Sequence, residues 1–370
     1  MKIYTYNLRQ NQIVLTLVEN KVLLQLKDQI YTSVYPCSIE HVQRTYFDLM
    51  IWILFYGFDE NVLDNNGNEI PTSYGTKIST GWDKILLSYS GGVDSTALLL
   101  MMENLDVTPV YLKRSYDDIY CQNQIEAIKA FNSKIIETDF ELIRKQYGKS
   151  HGFNIGIGYC CLLIPLIPIL QAKYITFGAI MEGVALSYDT SYKYITRIGS
   201  RFAHIFKVLK NYDIEISLPM AGLSEVHTSR IVEYSSYKYV ACSCHVQMDG
   251  NKCMKCYKCF RKEAILGRQI EVSDILYKKL RIKPLAAAPA TIYGIQKAKY
   301  QGGLWDRYKS IPTDWVNYYD RILTEQYNPE EICTIITGLF RSYDIGQITA
   351  LDRESIELFC DCINDDKLYI

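Results

Sequence analysis

The spacing of four cysteines, Cys244, Cys253, Cys256 and Cys259, constrains this chain more than any other feature. It reads C-x8-C-x2-C-x2-C. Two overlapping C-x2-C steps put three thiolates within reach of one ion, and Cys244 returns from the preceding segment as the fourth. A closed tetrahedron of thiolates favours zinc in a structural role, with no open position for catalysis. An iron–sulfur cluster is the rival occupant, and Cys242 or His245 is an alternative to Cys244. The chain has 12 cysteines in 370 residues, and five of them fall between Cys242 and Cys259. That distribution belongs to a metal site in a reducing compartment, not to a disulfide scaffold. Lys252, Lys255, Lys258, Arg261 and Lys262 make the cluster basic. They read either as neutralisation of a doubly negative tetrathiolate centre or as an RNA contact.

A second constraint is the segment Ser90-Gly91-Gly92-Val93-Asp94-Ser95, between a buried-strand pattern at 85–89 and a helical pattern at 96–105. Two glycines permit positive φ and close approach of a ligand to the backbone. The start of the following helix offers unpaired N–H groups and the positive dipole end, which together attract an anion. Ser88, Ser90, Ser95 and Thr96 add hydroxyls around Gly91, Gly92 and Val93. Asp94 puts a carboxylate beside that anion, which calls for a magnesium ion between them. Phosphate plus Mg2+ is therefore the expected occupant. A Walker-type loop and a dinucleotide fingerprint are both excluded by the sequence.

The remaining patterns divide the chain into three. Residues 1–36 alternate with period two and predict a small antiparallel meander. Helical periodicity follows over 38–58, with Ser38 as the expected N-cap, and a linker over 61–82 closes a β-rich N-terminal domain, 1–82. Strand patterns at 85–89, 107–112, 134–138 and 174–177 then alternate with helical ones at 96–105, 122–131 and 161–172. The alternation predicts an α/β fold, a doubly wound, mainly parallel sheet over 83–268, with ligands at the carboxyl ends of its strands. Residues 269–370 predict a helical extension, with helices at 313–327, after Asn328 as N-cap with Pro329 first in the helix, and at 352–364. The balance of 40 basic and 41 acidic residues suits a small-molecule substrate better than bulk nucleic acid. The longest uncharged run, 155–170, falls short of the ~20 residues of a membrane span and contains Pro165 and Pro168. No signal-peptide pattern opens the chain, so the expected location is the cytoplasm.

S-G-G-x-D-S after a first strand resembles the signature of the PP-loop ATP pyrophosphatase superfamily. Combined with the cysteine spacing, it is similar to the 7-cyano-7-deazaguanine synthase family, over roughly residues 83–268. The resemblance implies that Ser90, Gly91, Gly92, Asp94 and Ser95 hold the β- and γ-phosphates of ATP, with Asp94 and Ser95 as the catalytic pair. It implies adenylation of a carboxylate, 7-carboxy-7-deazaguanine in that family, with release of pyrophosphate. Ammonia then displaces AMP, and a second ATP-driven step dehydrates the amide to a nitrile. Gly178 matches a family glycine, and the four cysteines match a structural zinc site. The stretch Pro219-Met220-Ala221-Gly222-Leu223-Ser224-Glu225 resembles the family's P-L-x-x-x-S-K, with Glu225 in place of the lysine.

The chain also departs from that family. Residues 156–161 replace an arginine–asparagine pair, and residues 179–189 replace the usual substrate loop. Glu182 is a candidate for a base N–H, or it caps a turn. Lys113, Arg114, Arg197 and Arg201 are the candidate cations, with Arg197 and Arg201 assigned to the substrate. The altered acceptor half and the added segments point to another nucleophile, such as a protein or peptide amine, and proteins of this extended kind are associated with anti-phage defence. The expected assembly is a homodimer or a complex with a partner protein. Two other readings stay open: tRNA sulfuration using Cys121, Cys160 or Cys161, and an inactive PP-loop scaffold.

Overall fold

The period-two alternation of the first 34 residues forms four strands, β1 (Lys2–Asn7), β2 (Gln12–Val18), β3 (Lys21–Leu26) and β4 (Gln29–Val34). Ile13, Leu15 and Leu17 of β2 and Val22 and Leu24 of β3 are fully buried on one face. The computed structural model describes residues 1–58, 61–70, 82–115, 122–153, 156–188, 194–196, 203–244, 252–283 and 285–365. Helix α1 (Arg44–Phe55) is buried on almost every side and packs on the 3-10 segment Gly156–Leu166.

The next elements are β5 (Lys84–Tyr89), α2 (Val93–Met101), β6 (Val107–Arg114), α3 (Gln122–Ala130), β7 (Lys134–Thr138) and β8 (Ala172–Phe177). A small antiparallel ribbon pairs β9 (Leu186–Tyr188) with β10 (Tyr194–Thr196), and the short β11 (Glu215–Ile216) follows. The main sheet has nine strands in the order β1-β2-β3-β4-β7-β6-β5-β8-β11.

This order corrects the expected fold class. The strands do not form a doubly wound, mainly parallel sheet beside a separate β-rich domain. They form one mixed sheet, antiparallel from β1 through β4 to β7 and parallel from β7 to β11. The joint lies between β4 and β7, where Ser33 pairs with Thr138 and Val34 with Glu137. Two side chains reinforce it: the Ser33 and Thr138 hydroxyls lie 2.6 Å apart, and Asp139 accepts the Thr32 N–H at 2.6 Å. Period two reports which face of a strand is buried but says nothing of which edge it finds, so the sequence pattern missed the joint.

The connection from β7 to β8 differs as well. The apolar run expected as a helix is 3-10 over Gly156–Leu166, followed by a single α turn, Ile167–Leu170. Pro165 and Pro168 lack the N–H groups that a continuous α-helix would use. Beyond the cysteine cluster the chain is mainly helical. It includes α4 (Glu225–Glu233) just before the cluster, then α5 (Tyr257–Ile265), α6 (Ala288–Lys297), α7 (Glu330–Ser342) and α8 (Ala350–Asn364). Among the described residues no helix is long and apolar enough to cross a membrane.

Candidate functional site

The glycine-rich segment makes a tight turn from β5 into α2. Gly91 has φ +69°, in the left-handed region, and its carbonyl accepts the Cys242 N–H at 3.0 Å. Gly92 caps α2 with extended backbone and no side-chain hydrogen bond. The Ser90 and Ser95 hydroxyls lie 3.0 Å apart, and Ser243 Oγ accepts the Val93 N–H at 3.0 Å. Thr96 faces inward to the Tyr89 hydroxyl, 3.0 Å away. Gly178, just after β8, packs against the turn so closely that a Cβ there would lie 2.8 Å from the Ser95 nitrogen.

The turn forms one wall of a cavity of about 380 Å3 at the carboxyl ends of β5, β6, β7 and β8. Ser88, Ser90, Gly92, Asp94, Ser95, Gly178 and Ser243 line this wall, with Lys258 beside them. Tyr111, Phe153, Tyr159 and Phe177 add aromatic side chains to the same lining. Phe153 and Tyr159 meet edge to face at 5.0 Å. Arg114, also in the lining, grips the buried Glu141, with contacts of 2.5 and 3.2 Å.

Behind the turn lies a charged network. Asp94 Oδ1 accepts from Thr228 Oγ1 at 2.5 Å and from Lys262 Nζ at 2.9 Å. Lys262 also reaches Glu225 Oε1 at 2.8 Å, and Arg261 Nε lies 2.7 Å from Glu225 Oε2. Burial alone would raise the Glu225 carboxyl, but Arg261 and Lys262 outweigh it and hold the group down at about 2. Glu182 behaves in the opposite way. Burial, with Glu225 and Asp94 nearby, pushes its carboxyl up to about 8. Both its oxygens accept the Glu225 N–H, each at 3.1 Å, so Glu182 sits at the start of α4. Ser224 caps the same helix by accepting the Val226 N–H.

The sulfurs of Cys244, Cys253, Cys256 and Cys259 all lie within 4.8 Å of one another and could hold a metal ion. The Cys244–Cys256 and Cys253–Cys259 pairs are each 3.9 Å apart. That is close to the ~3.8 Å that tetrahedral Zn–S bonds of ~2.3 Å would impose. Backbone N–H groups of Cys256 and Lys255 point at Cys253 Sγ, and that of Cys259 at Cys256 Sγ, as a thiolate cluster requires. Met254 takes φ +50° to turn the knuckle. Cys256 is the N-cap of α5 and Cys259 lies in its first turn, so the same cluster sets the helix that carries Lys258, Arg261 and Lys262.

Of the residues singled out in the sequence, Ser88, Ser90, Gly92, Asp94, Ser95 and Gly178 come together on the cavity. Gly91 and Val93 shape the turn through their backbone. Glu182, in the short helical turn Met181–Val184, is one layer back, where it accepts from the first N–H of α4. Arg114 lines the cavity, whereas Lys113 pairs with Glu137 at 3.2 Å on a half-exposed surface. Arg197, Arg201, His245 and Cys121 lie outside the described residues. Thr228, Lys258, Lys262, Glu141, Tyr159 and Ser243 were not assigned to this site from the sequence. The basic stretch 258–262 was the one signal for the lysines, and it was read only as a companion of the metal site. A profile of a family of unknown function, DUF6395, matches residues 204–288, which include Glu225, Lys262 and the four cysteines. No curated protein matches the chain.

Proposed function

We propose that this chain is an ATP-dependent, AMP-forming ligase that adenylates the carboxylate of a 7-deazaguanine-like heterocycle and passes the acyl group to nitrogen. The observation that carries this reading is the mixed lining of the cavity, which joins the hydroxyl-rich turn to aromatic side chains. The turn would offer its serine hydroxyls and the positive end of α2 to a polyphosphate. The aromatic part of the lining would receive a planar ring. Asp94 Oδ2 makes no hydrogen bond among the described residues and is the oxygen that would hold a magnesium ion. A substrate carboxylate oxygen attacks the α-phosphorus of ATP, and pyrophosphate leaves with the electron pair. The nitrogen then attacks the acyl carbon, the bond to AMP breaks, AMP leaves with the electron pair, and the nitrogen gives up its proton.

Glu225 stands where the similar family has a lysine. Arg261 and Lys262 bring cationic charge to the same helix from α5. The cysteine cluster holds zinc in a structural role, consistent with four sulfur donors and no open position. An acceptor amine on a protein or peptide, and a role in anti-phage defence, belong to the same reading through the resemblance. No disulfide joins cysteines among the described residues, which suits the cytoplasm. Cys160 and Cys161 are poor nucleophiles for sulfur transfer, because both are fully buried and burial pushes both thiols up.

The test is incubation with Mg-ATP and 7-carboxy-7-deazaguanine, with and without ammonium, followed by assay of AMP, pyrophosphate and the amide or nitrile. AMP formation that requires the deazaguanine supports the reading. Absence of AMP under every condition sinks it.

A further inference from the structure

We infer that Lys258 is the side chain that grips the polyphosphate, and then the pyrophosphate, inside the cavity. The identity of the anion rests on the adenylating reading; the site itself rests on charge and position. Four charged side chains line the cavity: Asp94, Arg114, Glu141 and Lys258. Three of them are already engaged, Asp94 with Lys262 and Arg114 with Glu141. Arg261 and Lys262, the neighbours of Lys258 on α5, are committed to Glu225 and Asp94. Lys258 makes no salt bridge among the described residues, although Asp94 and Glu225 lie near enough to favour its charge, so it is the lining cation with donors left for a ligand. The hydroxyls of Ser90, Ser95 and Ser243 line the same void, at the start of the nine-residue α2. A cation sharing a cavity with three hydroxyls and the positive end of a helix calls for a multivalent anion. Its place is fixed by the metal cluster, because Lys258 lies between the ligands Cys256 and Cys259.

The competing role for Lys258 is to balance the charge of the thiolates, and one titration separates the two. The metal-loaded full chain is titrated with inorganic pyrophosphate by calorimetry, as wild type, Lys258→Gln and Lys258→Arg. Metal content and thermal midpoint are recorded for each. The expected result is a Kd about 10-fold to 100-fold weaker in Lys258→Gln. Lys258→Arg should stay within a few-fold of wild type, with bound metal and midpoint unchanged in both variants. Equal pyrophosphate affinity in Lys258→Gln and wild type overturns the inference. So does lost metal with unchanged affinity, which assigns Lys258 to the thiolates. AMP formation is followed in parallel. If wild type forms no AMP yet binds pyrophosphate through Lys258, the adenylating reading falls and the grip stands. If wild type forms AMP and Lys258→Gln binds normally, the grip falls and the reading stands.

Discussion

Two glutamates joined by one N–H are held in different protonation states, because cations offset burial at one and nothing offsets it enough at the other. Glu225 is held near 2 by Arg261 and Lys262 against the effect of its own burial, while burial beside Glu225 and Asp94 raises Glu182 to about 8. A raised carboxyl makes folding depend on pH in a definite direction. Above about pH 4.5 the unfolded chain has released the Glu182 proton that the folded chain keeps. Stability from this group therefore falls as pH rises from about 4.5 to about 8, and is flat beyond. Glu182→Gln should remove that decline and gain most, relative to wild type, at pH 8. Urea midpoints of both proteins at pH 5 and pH 8 decide it, and parallel pH profiles would count against the assignment.

At the scale of elements, the cysteine cluster and the glycine-rich turn are mechanically one unit. The Cys242 N–H holds the Gly91 carbonyl, Ser243 holds the Val93 N–H, and Cys244 begins the cluster. Cys256→Ser should therefore release the metal and lower the melting temperature, since metal binding contributes directly to folding. It should also weaken ATP binding, although Cys256 itself does not line the cavity. Metal content measured beside nucleotide affinity checks this, and full metal retention in the variant would void the site assignment. Both motifs were legible in the sequence because each is built from residues close in the chain. Helix starts were less so. Ser38 was expected to cap a helix, but its hydroxyl donates to the Glu19 carbonyl, and α1 begins at Arg44. Asn328 was expected as a cap, but its amide is used elsewhere and Pro329 takes that position. Thr228 and Lys262 were illegible at this site because they reach Asp94 from 134 and 168 residues away.

The whole molecule is tied together by loops that span its parts. Asn328 Nδ2 donates to the carbonyls of Leu218 and Thr324, and its Oδ1 accepts from Ser217 Oγ at 2.6 Å. The same loop presents Gly222, whose carbonyl accepts the Asp320 N–H at 2.8 Å. Asn328→Ala strands buried carbonyls and should cost about 1–3 kcal/mol, read as a shift in urea midpoint. A change under about 0.5 kcal/mol would show the clamp to be dispensable. The nine-stranded order escaped the sequence because the joint between β4 and β7 links residues 105 apart, through just two backbone pairs. That joint also sets a timetable for synthesis. The N-terminal meander leaves the ribosome complete while β7 is still unmade. At 5–20 residues per second, β4 waits about 5–20 s for its partner. Through that interval its edge is an open template for any other nascent strand, so the stage most exposed to aggregation precedes the making of the cavity.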